Sequence, residues 1–348
     1  MRYLVGGLLF MAGLGVVGAA AWWANYAFTA SNSAVGDAVI LVTKGQTAQD
    51  VTQSLTQKQM ITNPQRFLWL GKLSRQWKRL RTGEYQVSGK MSPMQILAVL
   101  TSGVSVQYPL TIREGENIYE IAKDIQSQGL GDAAKFIQLC KDKNLIQALG
   151  LTQPAPTSLE GYLFPDTYFL NHTQTMADMI RLMYRRFSSE WGTQEDARAR
   201  ELGMTRHQVI TLASVIEKET GAPEERPMIG SVFHNRLKKR MKLQSDPTII
   251  YGIWERYDGN IHRSDISSQT PYNTYFVPAL PIGPISNPGK ASIQAALFPA
   301  QSEYLFFVSQ NDGKHRFTRT YGEHVAAVRK FQLDPKAREG KSWRNLNP

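Results

Sequence analysis

The chain has 348 residues, long enough for two or more domains with proper cores, and its 42% hydrophobic and 20% charged content is that of an ordinary globular protein. A net charge of +11 implies an anionic partner: nucleic acid, a phospholipid surface or an acidic polymer. The single cysteine, Cys140, excludes an internal disulfide and fits no metal or catalytic spacing; beside Phe136, Ile137 and Leu139 it reads as a small buried hydrophobe.

No charged residue falls between Arg2 and Asp37. Leu4 to Ala24 is long and apolar enough to cross a bilayer as a helix, with Trp22, Trp23 and Tyr26 at headgroup level. A signal peptide cleaved near Ala19–Ala21 is the competing reading; the tryptophan pair and the length favour a retained anchor, N-terminus inside and the bulk outside. Gly13, Gly15 and Gly18 spell a literal G-x-G-x-x-G. Without a preceding strand the pattern is no dinucleotide fingerprint.

A polar spacer from Thr29 leads to a strand over Ala38–Val42, a Gly45 turn, a helix through Val51 and Leu55, a second helix opened by Asn63–Pro64, and a return strand over Gly83–Val87. Strand, two helices and strand is similar to the LysM arrangement, a small sugar-binding module. A helix over Pro93–Leu100, a strand over Val106–Ile112 and a helix over Asn117–Ile125 follow. Gly45 and Gly115 stand at similar strand-to-helix turns. Lys72, Arg75, Lys78, Arg79 and Arg81, mixed with Trp69 and Trp77, make a basic cluster. It suits a solvated helix face, anionic lipid or an acidic wall polymer; with the anchor as read, it does not meet nucleic acid.

The stretch Leu159-Glu160-Gly161-Tyr162-Leu163-Phe164-Pro165-Asp166-Thr167-Tyr168 is either a packed turn or a cleft wall, and the reading leans to the cleft. Helical spacing then runs from Thr175 to Phe187. The next helix carries the chemistry. Thr205 with Gln208 forms a capping box, Gly221 and Pro223 supply the stop, and Val209, Leu212, Ala213 and Ile216 make one apolar stripe. Glu217 borders this stripe on one edge and Glu219 on the other. A carboxyl on such an edge is partly desolvated, which keeps it protonated for use as a general acid; solvated flanking glutamates are the plainer reading.

Beyond it, Glu225–Lys239 has helical spacing and contains Phe233-His234-Asn235-Arg236-Leu237. Leu243-Gln244-Ser245-Asp246-Pro247-Thr248-Ile249-Ile250-Tyr251 follows, with Asp-Pro as a helix start. Thr270–Tyr275 and Leu280–Gly289 interleave tyrosines with hydroxyls and amides, which suits a sugar's hydroxyls and flat apolar face. Asn287–Pro288 reads as another cap, Tyr304–Val308 with Arg316–Thr318 as a hairpin, and Thr320 with Glu323 as the cap of a last helix. The histidines show no zinc spacing, and no G-x-S-x-G elbow or Walker loop occurs, so neither metal nor cofactor is expected.

These blocks, in this order, resemble the MltG (YceG-like) family of endolytic murein transglycosylases, from the N-terminus to about Phe331. The resemblance implies an α+β protein: one transmembrane helix (1–28, with a cytoplasmic stub), a linker (29–37), a LysM-like module (38–105), a connecting α/β segment (106–155), a mainly helical catalytic domain with a short hairpin (156–333) and a polar tail (334–348). It implies single-pass residence in the bacterial inner membrane with the bulk periplasmic. Peptidoglycan strands are the implied substrate and peptidoglycan synthases the partners. It places Glu217 as acid, then base, in cleaving the bond between N-acetylmuramic acid and N-acetylglucosamine without water, leaving 1,6-anhydro ends. Gln244, Ser245, Asp246, Thr248, Tyr251, Asn273 and Tyr275 are carried over as cleft residues. Ile282 and Ala279 depart from the family pattern, where proline and glycine are usual. A hydrolase using Asp246 or Glu160 as a second carboxylate, and a non-catalytic glycan-binding scaffold, are the alternatives.

Overall fold

Side chains that close their own backbone start many of the helices. Thr47, Ser92, Asn117 and Thr320 each accept from the N–H three residues on, while the residue there bonds back to the cap. The computed structural model describes residues 2–152, 155–219 and 222–334. Gly221, expected to stop the Glu217 helix, and residues 335–348 of the expected tail lie outside the described residues.

The chain divides into two compact units, 1–109 with 169–175, and 110–168 with 176–348. The first holds α1 (Arg2–Phe28), β1 (Asp37–Val42), α2 (Ala48–Gln57), α3 (Pro64–Leu73), β2 (Gly83–Ser88) and α4 (Pro93–Ser102). β1 and β2 form an antiparallel ladder from Asp37 opposite Ser88 to Val42 opposite Gly83. Buried Glu84 holds the returning segment, accepting from the His172 N–H and facing its Nδ1 at 2.8 Å.

Two expectations fail here. No helix among the described residues is long and apolar enough to cross a membrane, so the expected transmembrane span is not supported. α1 forms as a helix, but its aromatic end has protein partners. Ala27 is buried in the first unit's core with Trp23 and Tyr26 against it, the Tyr26 hydroxyl donates to Asn63 O, and the Arg66 guanidinium lies 3.4 Å over the Trp22 ring. Rings that would suit a headgroup layer serve equally well as a docking face, and sequence alone does not separate the two. The LysM-like module is likewise not shown. The core under the β1–β2 ladder takes in Ala27 of α1 and Ile96, Leu97 and Leu100 of α4, so strand, two helices and strand do not close a core by themselves.

In chain order come β3 (Tyr108–Thr111), α5 (Ile118–Ser127), α6 (Ala133–Cys140), α7 (Lys143–Ala148), β4 (Thr167–Leu170), α8 (Met176–Glu190), α9 (Thr193–Glu201), α10 (Arg206–Glu219), α11 (Arg226–Lys238), α12 (Asp246–Gly252), α13 (Arg263–Ile266), α14 (Lys290–Leu297), β5 (Phe306–Ser309), β6 (His315–Thr318) and α15 (Tyr321–Val328). β3 pairs with β4, and β5 with β6.

α10 is the axis of the second unit and packs on α11 and α14. Every residue from Val209 to Glu217 is buried. Its start is the expected one: Thr205 N–H donates to the Gln208 side chain and Gln208 N–H to Thr205 Oγ1. A cap is worth ~0.5–2 kcal/mol, whereas each fully buried Val, Leu or Ile contributes ~1.5–3 kcal/mol. With Val209, Ile210, Leu212, Val215 and Ile216 all 0% exposed, packing decides that α10 persists and the cap only sets where it begins.

Candidate active site

Glu217 lies in the last turn of α10 with its side chain 4% exposed. Two segments far away in sequence enclose it. The first is the turn after β3, where Gly115 takes φ +81 and donates its N–H to Asn287 O. The second is the stretch before α14. Asn287 is fully buried: its N–H and side-chain amide donate to Glu116 O, and its Oδ1 accepts the Leu163 N–H. This corrects the expected Asn287–Pro288 cap, because the N-cap position of α14 is Gly289 and Asn287 ties two segments together.

The Gly289 N–H donates to Glu217 Oε2 at 2.8 Å, and Arg226 Nη2, at the start of α11, donates to Oε1 at 2.8 Å. The same Nη2 lies 3.5 Å from Glu114 Oε2. Burial, then the charge of Glu217, push the Glu114 carboxyl above its usual range, against the pull of Arg226. Lys218 turns off the helix to donate to Gly115 O. A buried carboxyl, a guanidinium and a second carboxyl thus converge on one point.

Glu219, on the other edge of α10, is half-buried. Burial and then the charge of Asp246 raise it to about 7, against the Ser245 hydroxyl it accepts and the charge of Arg236. Glu160 is enclosed, and burial lifts it to about 8 although the Ile118 N–H, the Tyr251 hydroxyl and the Asn287 amide all donate to it. With 0% exposure it has no face for an attacking water. In the Leu159–Tyr168 stretch around it, Leu159, Tyr162 and Leu163 are buried and the Tyr162 ring stacks on His207, while Tyr162 also lines an open cavity and Asp166 and Thr167 are exposed.

The remaining carried-over residues gather around α12 in two kinds. Ser245, Thr248 and Asn273 are buried. Thr248 Oγ1 donates to Ser245 O, and the Asn273 amide donates to the carbonyls of Asp265, Ile266 and Ser268. These hold the loop. Tyr251, 9% exposed, is turned to Glu160. Gln244 and Asp246 are exposed and Tyr275 partly so, its hydroxyl donating to Asp246 Oδ1 at 2.7 Å. Asp246 is the first residue of α12 and not its cap, which is Ser245. His234 is a hydrogen-bonded wall residue, Nε2 facing Ala296 O at 2.7 Å.

Two open cavities of about 590 and 710 Å³ lie elsewhere on this unit, and neither is lined by Glu217. The larger, with His207, Gln208, His234 and the Ala279–Ile282 loop on its walls, has no carboxylate among its lining residues.

Sequence reasoning missed Glu114, Arg226 and Gly289. The one available hint was Arg226 itself, because a cation at a helix start opposes the helix dipole and asks for a compensating anion.

A carboxyl shielded from solvent beside a guanidinium and a backbone N–H is a group of the kind general acid/base catalysis employs. The chain belongs to the YceG-like family, whose model matches residues 40–330. It is 33% identical over 264 residues to the endolytic murein transglycosylase of Bacillus subtilis (strain 168), covering 72% of this chain and 73% of that protein. It is 27% identical over 316 residues to the endolytic murein transglycosylase of Streptococcus pneumoniae serotype 2, spanning 81% of this chain but 56% of that relative. A crystal structure of a yceG-like protein from Listeria monocytogenes superposes with a TM-score of 0.58 at 30% identity, over 84% of this chain and 99% of that one.

Proposed function

We infer that this chain is an endolytic murein transglycosylase, cutting within peptidoglycan strands outside the cytoplasm, with Glu217 as its acid and then its base. The observation that carries the reading is the shielded Glu217 carboxyl, held from two sides by Arg226 and the Gly289 N–H. Family membership and the names of the relatives support it. Protonated Glu217 donates to the oxygen linking N-acetylmuramic acid to N-acetylglucosamine, and the acetamido group stabilises the charge developing on the ring. Ionised Glu217 then takes the proton of the muramyl 6-hydroxyl, which closes on C1 as the 1,6-anhydro ring. The proton given up is recovered and no water is consumed. Gln244, Asp246 and Tyr275 offer the exposed polar groups for neighbouring sugars, while Ser245, Thr248, Tyr251 and Asn273 fix the loop that carries them. Cutting ends a strand, so peptidoglycan synthases, which lengthen strands, are the proposed partners.

A hydrolase with Glu160 as its second carboxylate is disfavoured by the complete enclosure of that residue, whereas Asp246 is exposed, so product analysis decides the version that uses it. Mass analysis of products from uncross-linked strands tests the reading. Anhydro-muramyl ends are expected. Ends heavier by one water would replace it with hydrolysis.

A further inference from the structure

Arg226 reaches two carboxylates through a single nitrogen. Nη2 is 2.8 Å from Glu217 Oε1 and 3.5 Å from Glu114 Oε2, while its buried Nε has no hydrogen-bond partner among the described residues. A bidentate fork would lock the guanidinium to one carboxylate; a one-nitrogen contact with a spare donor is a pivot. The second carboxylate has a built seat. A Cβ on Gly289 would come 1.9 Å from Glu114 Oε1, so that carboxylate occupies the space the glycine leaves, beside the N–H that binds Glu217. The surrounding charges are engaged elsewhere. Arg113 pairs with Glu116, Lys290 with Glu190 and Glu225 with His315, Lys218 donates to Gly115 O, and Glu224 is exposed.

We propose that Glu114 is a positioning residue of the reaction: it holds Arg226 whenever Glu217 carries a proton, and releases Arg226 to Glu217 once that proton has gone to the glycosidic oxygen. The inference rests on the reading of Glu217 as acid and base. The need is electrostatic. Protonating Glu217 with no other anion at hand strands a buried guanidinium, and removing one partner of a buried pair is the costly way to break it. With Glu114 present, the three side chains carry no net charge when Glu217 is protonated and one negative charge after donation. Return of the 6-hydroxyl proton restores the first state, so charge and protons balance over a turnover.

The test is the pH profile of kcat/KM on uncross-linked strands for wild type, Glu114→Gln, Glu114→Asp and Glu217→Gln, with melting temperatures recorded. For E114Q the alkaline limb is expected to move down by about one pH unit, a roughly tenfold loss above it. E114D, which keeps the charge, should retain the limb near the wild-type position. An E114Q profile scaled evenly at every pH, or unchanged, overturns the proposal, as does an E114D limb displaced as far as that of E114Q. Loss of activity in E217Q with an unmoved E114Q limb would sink this inference alone; wild-type activity in E217Q would sink the reading beneath it.

Discussion

At the scale of single residues, the site turns on what surrounds a carboxyl, and α10 carries two contrasting cases. Glu217 is held by a guanidinium and an N–H, whereas Glu219 has a hydroxyl partner and is forced upward by burial. Their placement on opposite edges of α10 was legible from 3.6-residue periodicity. Their partners were not, since Glu217 meets residues 9 and 72 positions away and Arg226 meets Glu114 across 112. No local pattern encodes such separations. Gly289→Ala isolates this geometry. The clashing atom ends a flexible side chain, so the fold should survive with a melting temperature close to wild type. Displacing the Glu114 carboxylate beside Glu217 should cut the rate on the order of tenfold, because misplaced catalytic groups cost rate steeply. A variant cleaving glycan at the wild-type rate would show that the seat is irrelevant.

Among elements, local signals served helix starts well and helix surroundings poorly. The boxes at Thr205 and Thr320 form as their spacing implies. The Asp246 and Asn287 cap readings fail because each side chain found a tertiary partner instead: the Tyr275 hydroxyl for Asp246, and the Glu116 carbonyl, Glu160 carboxyl and Leu163 N–H for Asn287. The turn at Gly161 shows how tightly these segments meet. Its φ is +85, and a Cβ there would fall 2.6 Å from Pro284 and 2.8 Å from Ile210 of α10. Gly161→Ala should therefore destabilise through strained backbone, ~1–3 kcal/mol, and through overpacking of similar size. Urea titration measures this, and an unchanged midpoint would mean that the turn relaxes freely.

For the molecule as a whole, the sequence conveyed the order of motifs and the family, while α1 and the first unit were misjudged. Apolar runs report a preference for leaving water and do not say whether lipid or protein receives them. The raised carboxyls also make stability depend on pH in a definite direction. Glu219 and Glu160 titrate at about 7 and 8 in the folded chain against an ordinary 4.5. The folded state therefore binds these protons more tightly, and the stabilisation, full below about 4.5, is lost as pH rises through 7 and 8. His207 and His234 are lowered by burial, and their contribution is lost on acidification below 6.5, so it stays constant at higher pH. The urea midpoint should accordingly fall from pH 7 to pH 9. A flat or rising midpoint would contradict the upward displacement of the two glutamates.

The most direct test of the central claim is the rate at which Glu217→Gln releases anhydro-ended fragments from uncross-linked strands, measured beside wild type. A positioned carboxyl acid supplies ~10²–10⁴-fold, so a loss of that order is predicted. A rate within a few-fold of wild type would contradict the account, because the chemistry would then belong to another group.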